Sequence, residues 1–430
     1  MARRPRLAVT LGDPCGIGPE LLLASLGILH RWADVAVIGA RAGVDLLAGR
    51  AGRGEVSWRW GSGACPGAVP SVPEGAVVSG LWAGAGGEPG CAVWVDPTPA
   101  VTHAELQLGR GSATSGRCAV EAVRLGAGLA ASGWADALVT LPLAKAAAHQ
   151  AGYPIPGHTE FLQALCGSPI SRMAFVSPRL SVVLHTVHQS LRSVVEGLEA
   201  EPVAETLAFA ADRFMQLTGR TGLRVALCAL NPHAGEGGAF GREEAVLERA
   251  LEQAEAAFRG FDGSAASAPF AHVPSPFGLD PAPPGWSMFP EQPVVRPGRP
   301  GSGPPGSGPP DSGARLGERA SGRPAFFGPL PSDTLFQRAA RGEFDLVVAL
   351  YHDQGLIPIK VLEPDRAVNL TLGLPYLRTS PDHGTAFDRA GRWSADATNF
   401  LSAAALAVRL AGRAKGQPWQ VDVPPGGPRG

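Results

Sequence analysis

Short runs of apolar and β-branched residues alternate with helical stretches along this chain, and the alternation limits the possible folds more than any other feature. The runs lie at 7–11, 35–38, 137–140, 181–184, 224–230 and 345–350. Strands separated by helices usually lie parallel in one sheet, because each helix carries the chain back across a face of the sheet. The sequence therefore predicts an α/β fold with a mainly parallel sheet.

Polar or glycine-rich segments directly follow four of these runs. GDP follows the first run at 12–14, HTVH the fourth at 185–188, NPH the fifth at 231–233 and YHDQ the sixth at 351–354. Ligands in α/β sheets bind where strands end. We therefore expect these segments to contribute to a functional site.

The composition favours a small-molecule partner. At 430 residues the chain exceeds what one hydrophobic core usually organises, and 45% hydrophobic residues suffice for two domains. The 37 basic and 38 acidic residues form no run of like charge, which argues against nucleic acid or an anionic membrane surface as partner. The chain shows no signal peptide, no long apolar span and no CxxC cysteine pair, so we expect a soluble cytoplasmic enzyme with reduced thiols.

One region interrupts the alternation. From 263 to 323 the chain is dominated by Gly, Pro, Ser and Ala, and GSGPP occurs at 301–305 and again at 306–310. Such a composition buries too little apolar surface to offset the entropy lost on ordering. We expect a flexible insertion here, and both a solvated surface loop and a lid over the site remain open.

Three histidines at the ends of predicted strands are candidate metal ligands, namely His188, His233 and His352. Neutral imidazoles bind Zn²⁺ and similar divalent ions, and three of them with an open coordination position would form a catalytic site rather than a structural one. The three are far apart in sequence, so their spacing leaves their convergence open. A surface or core histidine is the alternative for each.

Lys360, Asn369 and Arg378 form a second candidate group. Each follows a short apolar stretch, and an ammonium, an amide and a guanidinium together can hold a phosphate or a carboxylate. Solvated surface positions are the alternative. Asp333 adds a carboxylate before a predicted helix start. The chain has no GxxxxGK[ST] loop and no complete GxGxxG after a strand, so a nicotinamide site of the Rossmann kind is not expected.

Six motifs resemble those of the 4-hydroxythreonine-4-phosphate dehydrogenase family. They are GDPCGIGPE at 12–20, PGHTE at 156–160, NPHAGEGG at 231–238, GPLPSDTLF at 328–336, YHDQG at 351–355 and VNLTLGLPYLRTS at 368–380. The resemblance implies a two-domain α/β/α fold similar to isocitrate and isopropylmalate dehydrogenases. It also implies a homodimer whose active site lies in the interdomain cleft near the subunit interface. A dinucleotide-side domain would comprise 1–135 and 365–430, and a metal, substrate and dimerisation domain 136–364.

The resemblance also implies roles for single residues. One divalent metal ion, which would be zinc, magnesium or cobalt, would be bound by ligands drawn from both subunits, namely His188, His233 and His352. The phosphorylated substrate would be held by His158, Thr159, Lys360, Asn369 and Arg378. Three further residues are catalytic candidates. Lys145 matches a family lysine near the site, whereas Asp333 and Asp353 would orient the metal histidines or handle protons, and the sequence leaves that choice open.

The segment DHGTAFDRAG at 382–391 is similar to the loop with which isopropylmalate-type dehydrogenases hold the adenosine part of their dinucleotide. His383, Gly384, Thr385 and Ala386 would therefore bind NAD or NADP. A glycine here lets the backbone approach a ligand closely. A plain turn before the C-terminal helix is the alternative.

The implied reaction is the NAD(P)-dependent oxidation of 4-phosphooxy-L-threonine to 2-amino-3-oxo-4-phosphooxybutanoate. This acid would decarboxylate to 3-amino-2-oxopropyl phosphate, in pyridoxine and pyridoxal phosphate biosynthesis. The metal would favour the substrate alkoxide and polarise the ketone. The nearest alternative is a dehydrogenase of a four-carbon sugar-acid phosphate, such as threonate or erythronate 4-phosphate. A metal-dependent hydrolase built on the histidines and Asp353 is an alternative of a different class, and it would need no nicotinamide.

Overall fold

One mixed sheet organises the part of the chain that the structure describes. The computed structural model describes residues 3–48, 56–61, 72, 74–85, 90–264, 267–273 and 322–414. Thirteen strands form the sheet in these residues, in the order β10-β9-β11-β8-β7-β12-β13-β6-β1-β2-β5-β4-β3. Their bounds are β1 (Arg6–Thr10), β2 (Asp34–Ile38), β3 (Val56–Gly61), β4 (Val77–Ala85), β5 (Gly90–Asp96), β6 (Ala137–Thr140), β7 (Arg172–Val176), β8 (Ser181–Leu184), β9 (Arg224–Cys228), β10 (Ala325–Leu330), β11 (Leu346–Ala349), β12 (Val368–Leu372) and β13 (Leu377–Pro381).

The six predicted strand runs are confirmed as β1, β2, β6, β8, β9 and β11. Pairings among these six strands are parallel, and seven of the twelve pairings in the described residues are parallel. Two parallel blocks result, one of β10, β9, β11 and β8 and one of β13, β6, β1, β2 and β5. Antiparallel β7 and β12 join them, so the strand direction changes at the middle of the sheet.

Eleven helices accompany the described strands. They are α1 (Gly18–Trp32), α2 (Arg41–Asp45), α3 (Ala113–Ala131), α4 (Lys145–Gln150), α5 (His158–Cys166), α6 (Leu191–Glu196), α7 (Ala200–Thr218), α8 (Glu244–Ala257), α9 (Ser332–Ala340), α10 (His352–Leu362) and α11 (Thr398–Ala414). One face of the sheet packs against α1, α7, α8 and α11. The other face packs against α3 and α5 beside one block and against α9 and α10 beside the other. The three-layer α/β/α architecture is thus confirmed.

Alternation along single strands builds the two cores. Val183 of β8 belongs to the core under α7, whereas its neighbours Val182 and Leu184 belong to the core under α10. Successive strand side chains point to opposite faces, so a sheet covered by helices on both faces needs apolar residues at every position. Each fully buried aliphatic side chain contributes about 1.5–3 kcal/mol. This explains why the sequences of the central strands are continuous apolar runs.

Two predictions of chain organisation stay predictions. The first is the position of the domain boundaries near 135 and 365. In the structure, β6 pairs with both β1 and β13 inside one parallel block. The second is the insertion at 263–323, which lies outside the described residues apart from 263–264, 267–273 and 322–323.

Within the described part of the chain, no helix is both long and apolar enough to span a membrane. The five cysteines in that part are free thiols, as predicted.

Candidate active site

A cavity of about 400 Å³ lies where the two parallel blocks meet. Its walls come from the end of β6, from β7, β12 and β13, and from the first turn of α5. Nine of the predicted site residues line it, namely Lys145, His158, Thr159, His188, Lys360, Asn369, Arg378, His383 and Gly384. A change of strand direction leaves a crevice that helices do not fill, and ligand sites of α/β proteins form in such crevices.

Arg378 places a buried cation in this cavity. The residue is only 2% exposed. Its Nε and Nη2 donate to Thr140 Oγ1 at 3.2 and 2.6 Å, and its Nη1 donates to Thr371 Oγ1 at 3.0 Å. Burial lowers the pKa of Arg378 to about 10, so the side chain stays charged at neutral pH. Because neutral hydroxyls accept these bonds, the positive charge is available to an anionic ligand.

Several buried polar atoms around the cavity have no hydrogen-bond partner among the residues that the structure describes. They are His158 Nε2, Thr159 Oγ1, Glu160 Oε2, Asn369 Oδ1 and His383 Nε2. Buried polar groups are nearly always satisfied in native proteins, so such a group of unpartnered atoms points to a ligand. Burial, together with the charges of Arg378 and Lys145, lowers the pKa of His158 well below its ordinary value. His158 is therefore a neutral imidazole at pH 7.

The remaining charges of the cavity favour an anion. Lys360 Nζ lies 3.2 Å from Asp382 Oδ2, and burial raises the pKa of that carboxyl. Lys145 begins α4 at the cavity wall. With Arg378, these two lysines give three cations against two lining carboxylates, Asp382 and Glu160. A phosphorylated acid would neutralise the excess positive charge.

Two of the three predicted metal histidines lie side by side. The rings of His188 and His352 have centroids 6.2 Å apart. Nδ1 of His188 lies 3.5 Å from Glu160 Oε1, and Nδ1 of His352 lies 2.7 Å from Asp353 Oδ1. The hydrogen bond with His188 lowers the pKa of Glu160. In both histidines a carboxylate faces Nδ1, so Nε2 is the nitrogen left for another partner.

Six of the predicted site residues do not line the cavity, namely His233, Asp333, His352, Asp353, Thr385 and Ala386. His233 lies in the turn after β9 with a φ of 52°, and its ring faces the exposed Phe240. Asp333 is exposed in the first turn of α9, where it accepts a hydrogen bond from Thr334 N at 3.0 Å. Across the described residues, no three His, Cys, Asp or Glu side chains are arranged to hold a metal ion. The predicted set of three histidines is therefore not assembled within one chain.

The predicted cofactor loop borders the cavity at His383 and Gly384. Burial lowers the pKa of His383. A Cβ built at Gly384 would meet no described atom within 4 Å, so the backbone there is open to approach. Ala386 has a left-handed backbone with a φ of 41°. Thr385 and Ala386 do not line the cavity itself.

The N-terminal motif holds this loop in place. Ile17 N donates to Thr385 O at 3.0 Å. The carboxylate of Glu20 accepts hydrogen bonds from the backbone N–H groups of Gly391 and Trp393, the second at 2.8 Å. Glu20 is 2% exposed, and burial raises its pKa. The segment from 385 to 393 is thereby fixed at both ends to the start of α1.

The same motif also positions a cavity wall. Asp13 N donates to Pro142 O at 2.9 Å. Gly12 has a φ of 72°, and a Cβ on it would overlap Pro142 O. The Asp13 carboxylate accepts bonds from Cys15 N at 2.9 Å and from Ser115 Oγ at 3.1 Å. Burial nevertheless raises the pKa of Asp13 to about 6, because it has no cationic partner in these bonds.

Sequence reasoning missed Thr140, Glu160, Asp382 and Glu20 as site residues. Glu160 and Glu20 end two quoted motifs, and Asp382 begins a third, so the motifs contained a signal for them. Thr140 ends a predicted strand, and it reaches Arg378 across 238 residues of sequence. No local pattern indicates such a contact.

Comparison with known proteins supports one family. The family model described as "Pyridoxal phosphate biosynthetic protein PdxA" matches residues 89–272 and 317–407. A 4-hydroxythreonine-4-phosphate dehydrogenase of Bradyrhizobium diazoefficiens is 33% identical, covering 94% of this chain and 96% of that protein. A D-threonate 4-phosphate dehydrogenase of Cupriavidus necator is also 33% identical, covering 95% of this chain and 98% of that protein.

Solved structures agree. A crystal structure of 4-hydroxythreonine-4-phosphate dehydrogenase from Klebsiella pneumoniae has a TM-score of 0.65 at 29% identity, covering 95% of this chain and 99% of that one. The corresponding structure from Burkholderia phymatum has a TM-score of 0.61 at 28% identity, covering 95% and 99%. The match extends over well more than half of the chain, and the relatives are dehydrogenases. The chain therefore belongs to the pyridoxal phosphate biosynthetic protein PdxA family.

Proposed function

We propose that the chain is an NAD(P)-dependent dehydrogenase that oxidises 4-phosphooxy-L-threonine to 2-amino-3-oxo-4-phosphooxybutanoate. That product decarboxylates to 3-amino-2-oxopropyl phosphate, in pyridoxal phosphate biosynthesis. Family membership supports the reaction class. The observation that carries the proposal is the buried guanidinium of Arg378. Its hydrogen bonds within the described part of the chain go to threonine hydroxyls, and unpartnered polar atoms surround it in the cavity.

The phosphate lies at Arg378 in this proposal. Lys360 and Asn369, which also line the cavity, contribute an ammonium and an amide. Neutral His158 donates one N–H, and the hydroxyl of Thr159 donates a second hydrogen bond. Charge-assisted bonds to phosphate are about twice as strong as neutral ones, so this group holds the end of the substrate that does not react.

A divalent metal fits the histidine pair in part. Carboxylates face Nδ1 of both His188 and His352, which leaves each Nε2 to the ion. We propose that His188, His233 and His352 bind zinc, magnesium or cobalt, with the set completed across a subunit interface. The bound ion would supply a Lewis acid for the substrate hydroxyl. Asp353 orients the ring of His352, and Lys145 transfers a proton in this proposal. Asp353, Lys145 and Asp333 are the proposed catalytic residues.

A nicotinamide cofactor fits the 382–391 loop. No described group forms a hydrogen bond with the buried Nε2 of His383, and no described atom blocks the backbone at Gly384. We propose that His383, Gly384, Thr385 and Ala386 bind NAD or NADP, which would accept the hydride. Glu20 then keeps the loop in its binding conformation through two backbone N–H groups.

A homodimer is also part of the proposal. Apolar side chains are exposed on α6 and α10, the helices that begin just after His188 and at His352. They are Leu191 at 61%, Val195 at 43%, Ile357 at 62% and Val361 at 77% exposure. Exposed apolar residues grouped on helices next to a site are typical of a subunit interface. A second copy covering them would bring its own site residues near this cavity. The cytoplasmic location stays a prediction.

The test is an assay of the purified chain with divalent metal, NAD⁺ or NADP⁺, and either 4-phosphooxy-L-threonine or threonate 4-phosphate, followed at the NADH absorbance. We expect reduced nicotinamide and a higher kcat/KM for the amino acid. A preference of about 100-fold for threonate 4-phosphate would instead assign the activity of the Cupriavidus relative. Turnover of a phosphorylated acid without nicotinamide would point to the hydrolase alternative.

A further inference from the structure

The two carboxylates that line the cavity differ in their partners. Asp382 is paired with Lys360 at 3.2 Å. Glu160 faces the His188 ring, with 3.5 Å between Nδ1 and Oε1. Lys145 is close enough for its charge to act on Glu160, but among the described residues no group forms a hydrogen bond with the buried Oε2. A carboxylate oxygen without a partner in such a place binds a cationic group of a ligand more readily than one already held by a lysine.

Glu160 also lies at the right place along a bound ligand. It directly follows His158 and Thr159 in the first turn of α5, and it is close enough to Arg378 for their charges to interact. On its other side it contacts His188. A chain with its phosphate at Arg378 and its oxidisable hydroxyl near His188 therefore passes the Glu160 carboxylate.

We propose that Glu160 binds the ammonium group of an amino-acid phosphate, and that it is the residue by which this chain distinguishes such a substrate from a sugar-acid phosphate. The inference rests on the proposed function and specifies its substrate class. An ammonium donates a charge-assisted hydrogen bond to the carboxylate, whereas a hydroxyl at the same carbon donates a weaker, neutral one. Sites that hydrogen-bond a polar substrate group discriminate strongly against analogues that lack it.

The rival role of Glu160 is to position His188. A carboxylate at Nδ1 orients an imidazole whose Nε2 binds a metal. Loss of that function would weaken the binding of both substrates to the same extent, because both present the same hydroxyl to the site. Selectivity between an ammonium and a hydroxyl is therefore the readout that separates recognition from positioning.

The experiment compares Glu160→Gln with the unchanged chain. Binding of 4-phosphooxy-L-threonine and of threonate 4-phosphate is measured by calorimetry without nicotinamide, so that no oxidation can follow. We expect the variant to lose about 10-fold to 150-fold in affinity for the amino acid, and less than about 3-fold for the sugar acid. Glu160→Asp keeps the carboxylate and should keep the preference. The matched control is Asp382→Asn, which disturbs Lys360 and should lower the affinity for both ligands equally.

Equal losses for the two ligands in Glu160→Gln, or no loss for either, overturn the inference and leave the proposed function standing. A wild-type chain that binds neither compound and forms no NADH refutes the proposed function and the inference with it. A selective loss for the amino acid, preserved preference in Glu160→Asp and a non-selective effect of Asp382→Asn together support the assignment.

Discussion

Replacing Arg378 by Met should separate ligand binding from stability. Methionine has nearly the length of the arginine stem but carries no charge. The guanidinium is 2% exposed and is held by the hydroxyls of Thr140 and Thr371. If its charge serves a ligand, its removal should abolish phosphate binding without destabilising the ligand-free protein.

The magnitude follows from the pKa. Burial lowers the pKa of Arg378 from 12.5 to about 10. At about 1.4 kcal/mol per pKa unit, the charged form in the folded state costs on the order of 3 kcal/mol. The folded-state pKa is depressed, so this cost is fully present below pH 10 and is relieved only as pH rises from there toward 12.5. The hydrogen bonds to the two threonines offset about 1 kcal/mol each. We therefore expect R378M to be as stable as the unchanged chain or up to about 1–2 kcal/mol more stable at pH 8.

The assay is urea unfolding at pH 8 with and without 4-phosphooxy-L-threonine. Loss of a buried charge-assisted contact typically costs about 2–5 kcal/mol of binding, which corresponds to a 30-fold to several-thousand-fold weaker Kd. R338M is the control, since Arg338 lies in α9, pairs with Glu343 and does not line the cavity. A ligand-free R378M destabilised by several kcal/mol, with ligand affinity intact, would falsify the assignment of this charge to the ligand.

Three further outcomes are expected. Because the folded-state pKa of Asp13 is about 6 and its ordinary value 3.8, its contribution to stability falls by about 2.4 kcal/mol as pH rises from 4 to 7. Asp13→Asn should gain that amount relative to the unchanged chain in urea unfolding over this range, and a constant difference would contradict the argument. His188→Ala should lower the amount of bound metal in elemental analysis. The ring of His272 packs on Phe270, so His272→Ala should leave the metal content unchanged. Equal metal content in the two variants would remove His188 from the proposed metal ligands. Glu20→Gln should raise the KM for nicotinamide about 5-fold to 30-fold, because the loop loses about 1–2 kcal/mol of support. The KM for the phosphorylated substrate should stay nearly unchanged. A change confined to the substrate KM would contradict that role.

The parallel strands could be predicted because their signal is local. The runs at 137–140 and 181–184 coincide with β6 and β8, since strands buried on both faces require continuous apolar sequence. The strands β7, β12 and β13 could not be predicted in this way. They carry polar residues such as Asn369 and Arg378, and they are strands because each pairs with a neighbour remote in sequence.

The site residues show the same difference between what local sequence indicates and what tertiary contacts decide. Residue types, motifs and family order determined by themselves that the chain has an α/β fold, a set of cations suited to a phosphate and histidines suited to a metal. Only the tertiary structure decided which of them meet. It brought nine predicted residues into one cavity and left six others, His233 and Asp333 among them, outside its lining. It also gave Arg378 neutral hydrogen-bond partners instead of a carboxylate. The physical reason is that the chemistry of a residue belongs to its own side chain, whereas its burial and its partners depend on contacts between distant segments. Thr140 and Arg378 are 238 residues apart, and Glu20 and Trp393 are 373 residues apart.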